Sequence, residues 1–415
     1  MVASPANVPL SRGRLWLQAS LFVALLIGIG TVSLRAAHRG DWVKVFIPSG
    51  LRLRSGLDIF RDGYVYPPFQ ALLAAPFSWA NPASARWAWA ALNVVAAGVF
   101  LMSAWRLSGG RIFTQDSKRL PREALIFALG FAAAIGFLFD AVSNGQTDLL
   151  LAALITGGYL LARRWPAAGA VSIGIAAGAK CTPLLFVPWL VLRKRWLAAG
   201  TVLLAALTVN LLPDLFFPAP GGELRLMTWN RNYLAALLGQ KYQTGTWYTA
   251  PEFNHSLAGL LHRLAPAAIV QPVWLLGCAA LLLVTFLSIL RARRKENIIA
   301  PAVERFELGM VLCLMLLLSP ASSKPHFCTL LLPAWALARS AVYNRSRSLW
   351  IIMIGVVVAG LVANKDLVGA HIYDAAKWWG VITLETLLLY GACLWAHWRG
   401  NLGGDFIDKR IEARY

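Results

Sequence analysis

The chain has 415 residues, 58% of them hydrophobic and only 14% charged. Soluble globular chains carry about 25% charged residues, so this composition, arranged in repeated long apolar runs, excludes an ordinary soluble fold and indicates an all-α polytopic membrane protein. The net charge of +20 sits in short Lys/Arg clusters between the apolar runs, which is how topology is encoded, so no nucleic-acid partner is inferred from it.

In chain order, Arg12 and Arg14 precede the apolar run 15–34. That run is long enough to cross about 30 Å of hydrocarbon and exceeds a signal-peptide core, so it is expected to be an uncleaved first helix with a cytoplasmic N-terminus. The segment 35–84 is then the first extracytoplasmic loop. It opens on Asp41, continues through a basic amphipathic stretch, carries Asp58 and Asp62, and closes on Tyr66-Pro67-Pro68. The apolar run 67–80 is short and holds Pro76, so it is expected to be interfacial or re-entrant; counting it as a span would put the next basic cluster (Arg106, Arg111, Lys118, Arg119, Arg122) outside. The runs 85–105, 123–139 and 147–161 follow, the last two joined by the turn around Asn144-Gly145-Gln146. Two short runs, 167–179 and 183–192, read as a hairpin broken at Lys180-Cys181-Thr182. The run 196–216 leads to a long outer loop, 217–268, holding Asn254 and His255. Runs at 271–290, 306–318, 328–337, 349–362 and 381–398 complete about twelve spans with both termini cytoplasmic and a polar tail from 399 to 415. The whole of 1–415 reads as a single integral-membrane domain of the cell membrane. The five cysteines form no CxxC pair, so neither a disulfide nor a zinc site is expected.

Charge at membrane depth is expensive, so the few ionisable residues beside apolar runs are the candidates for chemistry. Lys180 either snorkels to the headgroups or fixes an anionic lipid headgroup as a point charge with three donors. Asp140 and Asp148 flank the 144–146 turn, where Asp140 and Asn144 capping helix ends would alone account for the pattern. Asp41, just past the first helix, either caps Trp42–Ile47 or takes a proton from an attacking hydroxyl. His326, with Lys324 and neighbouring hydroxyls at a break between spans, can form an anion cradle. Asp214 and Glu385 read as structural or peripheral. No HExxH, P-loop, strand-borne GxGxxG or zinc spacing is present, and no tight acidic pair demands a divalent ion. No cofactor is therefore expected.

Five segments in order resemble glycosyltransferase family 87, a polytopic family of the GT-C superfamily. They are the acid Asp41 followed by Ser49-Gly50 and Tyr66-Pro67-Pro68; Gly145-Gln146-Thr147-Asp148-Leu149-Leu150; Gly174 through Lys180 to Pro183; Asn254-His255-Ser256-Leu257; and Ser319-Pro320-Ala321-Ser322 through His326. The resemblance implies an extracytoplasmic, GT-C-like transferase that moves a hexose, often mannose, from a polyprenyl-phosphate donor to a lipid or glycan acceptor. It implies Asp41 as the catalytic carboxylate of the first outer loop. Lys180, His326 and Lys324 then fit as a donor-phosphate clamp, Tyr66, Gln146, Asn254 and His255 as cavity or acceptor residues, and the first loop's amphipathic helices as juxtamembrane elements among membrane lipids. The sequence departs from the family pattern at His255, where glutamine is usual, and at Lys324-Pro325, where an acid and a second histidine are usual. A transporter or flippase of lipid-linked sugars would also use a lysine at a broken hairpin, but it needs a polar pathway to both faces, whereas the polar residues here gather on one.

Overall fold

A computed structural model describes residues 12–111, 119–238, 251–295 and 301–399, and these contain helices and turns but no strand. Each apolar run identified above lies in helical structure. Six helices are long and apolar enough to cross a membrane: Trp16–Ala36, Pro82–Leu107, Leu120–Ser143, Trp196–Phe216, Ala267–Arg293 and Val381–Arg399. A seventh is added if Arg347–Val362 and Lys365–Trp378, bent by 92° at their junction, count as one span. Asp148–Ala162, Pro166–Ala179 and Thr182–Leu192 are shorter apolar helices. Lys118 and the tail from 400 onward lie outside the described residues.

Helices in lipid associate through close packing and internal polar contacts, because the bilayer is as apolar as their side chains. Small residues set these contacts. A Cβ added at Gly360 would run into the backbone of Ala133, and one at Gly174 into Val202 and Ala205. Around these crossings a continuous core is built on Phe100, Phe137, Phe186, Phe327 and Trp335, all buried.

The bundle has two polar ends of different character. At one end, arginines that the sequence explains only as topology signals are also paired with buried acids. Arg339 makes a two-pronged contact with Glu123 at 2.8 and 2.7 Å. Glu307 accepts from Trp189 at 2.9 Å and from Arg193 at 2.7 Å, and its other oxygen lies 2.9 Å from His397. Glu304 meets Arg195 at 3.0 Å and also takes the Tyr159 hydroxyl. A carboxylate in apolar surroundings is tolerable only with such partners, and these contacts tie the ends of helices distant in sequence.

The opposite end is capped by the segment after the first helix. Trp42–Phe46 forms a π-helical turn that runs into the helix Ile47–Arg54. Pro68–Ala74 follows, continued by the 3-10 turn Ala75–Ser78. Seven residues of helix reach about 10 Å, so Pro68–Ala74 cannot span a bilayer and instead packs inside the protein. Gly50 lets Ile47–Arg54 lie directly on the Ala74–Ala75 backbone, where any Cβ would collide. A second hydrophobic cluster of Trp42, Phe46, Leu53, Ile59, Tyr64 and Trp89 holds this cap to the bundle; Trp42 stacks on Trp89 with ring centroids 3.7 Å apart. Asp58 and Asp62 shape the loop locally. Asp58 accepts from the Phe60 amide at 3.0 Å, and Asp62, at a positive φ of 51°, pairs with Arg52.

Candidate functional site

The site is organised on one turn, Asn144–Asp148, between the helices Leu120–Ser143 and Asp148–Ala162. Gly145 reverses the chain there with φ of +63°, a conformation glycine adopts without steric penalty. Each flanking residue of the turn then makes a long-range contact. The Asn144 carbonyl accepts from the Asp41 amide at 2.8 Å. Gln146 donates through Nε2 to Asp41 Oδ2 and accepts at Oε1 from the Tyr66 hydroxyl at 3.2 Å. Thr147 receives the side-chain amide of Gln70. Asp148 Oδ1 lies 2.8 Å from Lys180 Nζ and 3.9 Å from His326 Nε2.

Asp41 is therefore not a helix cap: its side chain makes no capping bond to the turn that follows it. It is held by docking of its backbone on the turn, with Gly40 pressed so closely against Asn144 that a Cβ would overlap the Asn144 carbonyl. Burial raises the Asp41 pKa above the ordinary carboxylate value, against the Gln146 hydrogen bond and nearby Lys44, while Asp148 adds to the rise. The carboxyl is thus less acidic than a solvated aspartate and a better proton acceptor.

Lys180 ends the helix Pro166–Ala179 in extended conformation, with φ −154° and ψ 122°, and the chain resumes as the 3-10 turn Thr182–Leu185. The break aims its ammonium into a narrow cavity. The polar wall of that cavity is Asp148, Lys180, Thr182, Ser322, His326 and Thr329, and its apolar wall includes Leu151 and Met315. His326 enters from the 3-10 segment Lys324–Leu330. Its Nδ1 accepts from the Ser323 amide at 3.2 Å, so Nε2 carries the proton and faces Ser323 Oγ at 3.0 Å. Burial depresses its pKa to about 3, with Lys180 adding to the fall and Asp148 opposing it. The imidazole is uncharged at neutral pH and serves as an N–H donor.

The remaining predicted residues lie around this centre. Lys324 pairs with Asp140 at 2.9 Å and covers the Tyr373 ring at 5.0 Å, and it does not line the cavity of Lys180 and His326. Asn254 has a fastening role: it donates to the Pro320 carbonyl at 2.8 Å and accepts from the Ser322 amide at 3.0 Å, fixing the 254–256 segment to the 319–323 break. His255 extends that seam, its amide donating to the Ser322 carbonyl at 2.7 Å and its carbonyl accepting from Thr383 at 2.7 Å. Its ring is buried, which with Arg263, Lys324, Lys377 and His326 nearby pushes its pKa to about 3.

The partner role of Asp148 is what reading the sequence missed. The available signal was physical: a lysine fixed between apolar helices needs a counter-charge, and the nearest acid on a facing helix end is Asp148. Among the described residues no group of three His, Cys, Asp or Glu side chains converges as metal ligands.

The profile of Glycosyltransferase family 87 matches residues 64–320, well over half of the chain. The matched stretch holds Tyr66, Gln146, Asp148, Lys180, Asn254 and His255; Lys324 and His326 lie just after its last residue, and Asp41 lies well before its first. A polyprenol-phosphate-mannose-dependent alpha-(1-2)-phosphatidylinositol mannoside mannosyltransferase of Mycolicibacterium smegmatis (strain ATCC 700084 / mc(2)155) is 25% identical over 343 residues, covering 76% of this chain and 73% of its own. A helical membrane bundle whose central turn falls inside the family profile leads to one assignment: the chain belongs to glycosyltransferase family 87 and is a membrane glycosyltransferase.

Proposed function

We propose that the protein transfers mannose from a polyprenyl-phosphate donor to a lipid or glycan acceptor at the extracytoplasmic face, with inversion at the sugar. The observation that carries this reading is that one turn bears contacts to both candidate groups; Lys180 and His326 line the narrow cavity beside it, and Asp41 is not among the residues lining that cavity. Gln146 donates to Asp41 on one side of the turn, and two residues later Asp148 pairs with Lys180 on the other, with the uncharged His326 ring 3.9 Å from the same carboxylate oxygen. The relative's dependence on polyprenol-phosphate-mannose supports the donor class. The arginine-rich opposite end supports the orientation, since basic connections favour the cytoplasm.

In this mechanism Asp41 accepts the acceptor's hydroxyl proton as its oxygen forms a bond to the anomeric carbon. The bond from that carbon to the phosphate oxygen breaks on the opposite face, and its electron pair leaves with the polyprenyl phosphate. Lys180 and the Nε2–H of His326 stabilise the charge gathered on that oxygen, where preorganised donors act most strongly. Each turnover requires Asp41 to return its proton to solvent.

The test is to incubate the purified protein with a panel of polyprenyl-phosphosugars and membrane lipid extract and to read products by mass spectrometry. A new glycolipid gaining one hexose from polyprenyl-phosphomannose is expected. Products from nucleotide sugars and none from any polyprenyl-phosphosugar would overturn the donor assignment. The anomeric coupling constant of the product, compared with that of the donor, tests inversion.

The backbone docking yields a separate expectation. Gly40→Ala must push Asp41 away from Asn144, and a displacement of about 1 Å at a reacting group costs on the order of 100-fold in rate. Transfer should fall at least about tenfold while far-UV circular dichroism keeps its helical signature; a wild-type rate would mean this contact does not set the position of Asp41.

A further inference from the structure

Gln146 bridges the Asp41 carboxyl, to which it donates, and the Tyr66 phenol, which donates to it. An ionised carboxylate can only accept hydrogen bonds, so an amide beside Asp41 must present its NH2 group, which leaves Oε1 turned to Tyr66. The Tyr66 hydroxyl meets that oxygen at 3.2 Å. Its ring is held independently, packed on Phe46 at 5.1 Å and Tyr64 at 5.9 Å between centroids. Tyr64 in turn donates to the Pro67 carbonyl at 2.7 Å, which fixes the corner that carries Tyr66. The hydroxyl can therefore be removed with the ring left in place.

A turned amide would present Oε1 to Asp41, and only a protonated Asp41 can donate to it. The Tyr66 hydrogen bond holds the orientation that favours the ionised acid. We infer that Tyr66 is a positioning residue for Asp41: by donating to Oε1 it locks the Gln146 amide so that Nε2 keeps Asp41 ionised and aimed. This inference rests on the reading of Asp41 as the base. The charged and titratable groups that bear on Asp41 are Lys44 in its own segment, Asp148 beyond the turn and the Tyr66 phenol itself. Lys180 and His326 act behind Asp148. Of these, Tyr66→Phe removes only the hydroxyl, so a shift in Asp41 titration reports the amide lock.

The experiment titrates Asp41 in two ways, in wild type, Tyr66→Phe and Gln146→Leu. One is the acid limb of mannose transfer from polyprenyl-phosphomannose to membrane lipid extract. The other is labelling of Asp41 by dicyclohexylcarbodiimide, which attacks protonated carboxyls, quantified by mass spectrometry against pH. Both midpoints should move up by about one pH unit in Tyr66→Phe, and at least as far in Gln146→Leu. Below the limb this makes the variants about tenfold slower, since one pH unit is tenfold in ionised fraction. The ratio of variant to wild-type rate should climb as pH rises.

A labelling midpoint in Tyr66→Phe equal to that of wild type overturns the inference. Should Tyr66→Phe fail to fold, the Gln146→Leu midpoint decides, and an unmoved value overturns it equally. Labelling reads the proton on Asp41 whether or not Asp41 is the base, so the two readings fail separately. A shifted midpoint beside a fully active Asp41→Asn sinks only the base assignment. An unmoved midpoint beside an inactive Asp41→Asn sinks only the role of Tyr66.

Discussion

Asp41→Asn is expected to abolish sugar transfer. The substitution keeps the size of the side chain and leaves a carbonyl oxygen to accept the Gln146 amide, so the docking of residues 40–42 on the Asn144 carbonyl should survive. What disappears is the capacity to take a proton, and general-base catalysis contributes roughly 100- to 10,000-fold. The measurement is transfer of labelled mannose from polyprenyl-phosphomannose, with thermal unfolding in detergent as the control for folding. Full activity in a normally folded Asn variant would remove Asp41 from the mechanism. The pH profile supplies a second check with a definite sign. Burial raises the Asp41 pKa, and the base works only when ionised, so activity should fall with acidification through a midpoint above the usual aspartate range. Asp41→Glu should stay poorly active, because the added methylene displaces the carboxylate from a position set by backbone contacts.

The helices were legible because hydrocarbon thickness imposes run length on apolar segments. That logic correctly demoted 67–80: its proline and the basic residues after 105 forbade a span, and Pro68–Ala74 is a short internal helix. The same logic saw the arginines at the far end only as topology signals. Arg193, Arg195 and Arg339 gain their partners Glu307, Glu304 and Glu123 from helices far away in the chain, and no local pattern announces such pairs.

The site shows the same division. Asp41, Lys180 and His326 stood out because each is a polar group beside an apolar run. Asp148 reads in the sequence only as a flank of the 144–146 turn, since a carboxylate at a helix start is favourable in any context; its contact to Lys180 spans 32 residues and only folding creates it. Lys324 was grouped with His326 by proximity in sequence. A 3-10 turn rotates adjacent side chains apart, and Asp140 on the neighbouring helix captures the lysine. Asn254 is a motif residue in the sequence, and its contacts show why a seam between the 254–256 and 319–323 segments wants an amide: one side chain supplies both a donor and an acceptor to facing backbone.

The second large effect concerns the Lys180–Asp148 pair, whose side chains are 16% and 6% exposed. Removing one member of a buried pair strands the other and is strongly destabilising, by about 3–5 kcal/mol, whereas removing both is often neutral. Lys180→Met and Asp148→Asn should therefore each lower the unfolding temperature, and the double variant should recover most of it. If the pair were only a strut, recovery of stability would bring recovery of function. If Lys180 also clamps the donor phosphate, the double variant should fold normally and still transfer no sugar, because no cation remains for the leaving phosphate. Binding separates the cases without chemistry: polyprenyl phosphate at 100 times its Kd should stabilise the wild type by about 2.7 kcal/mol. Under the clamp reading that stabilisation should be lost in the double variant and retained in Asp148→Asn, where Lys180 loses its internal competitor. A double variant that is stable, active and stabilised by polyprenyl phosphate would reduce Lys180 to a structural residue and leave His326 as the donor facing the phosphate.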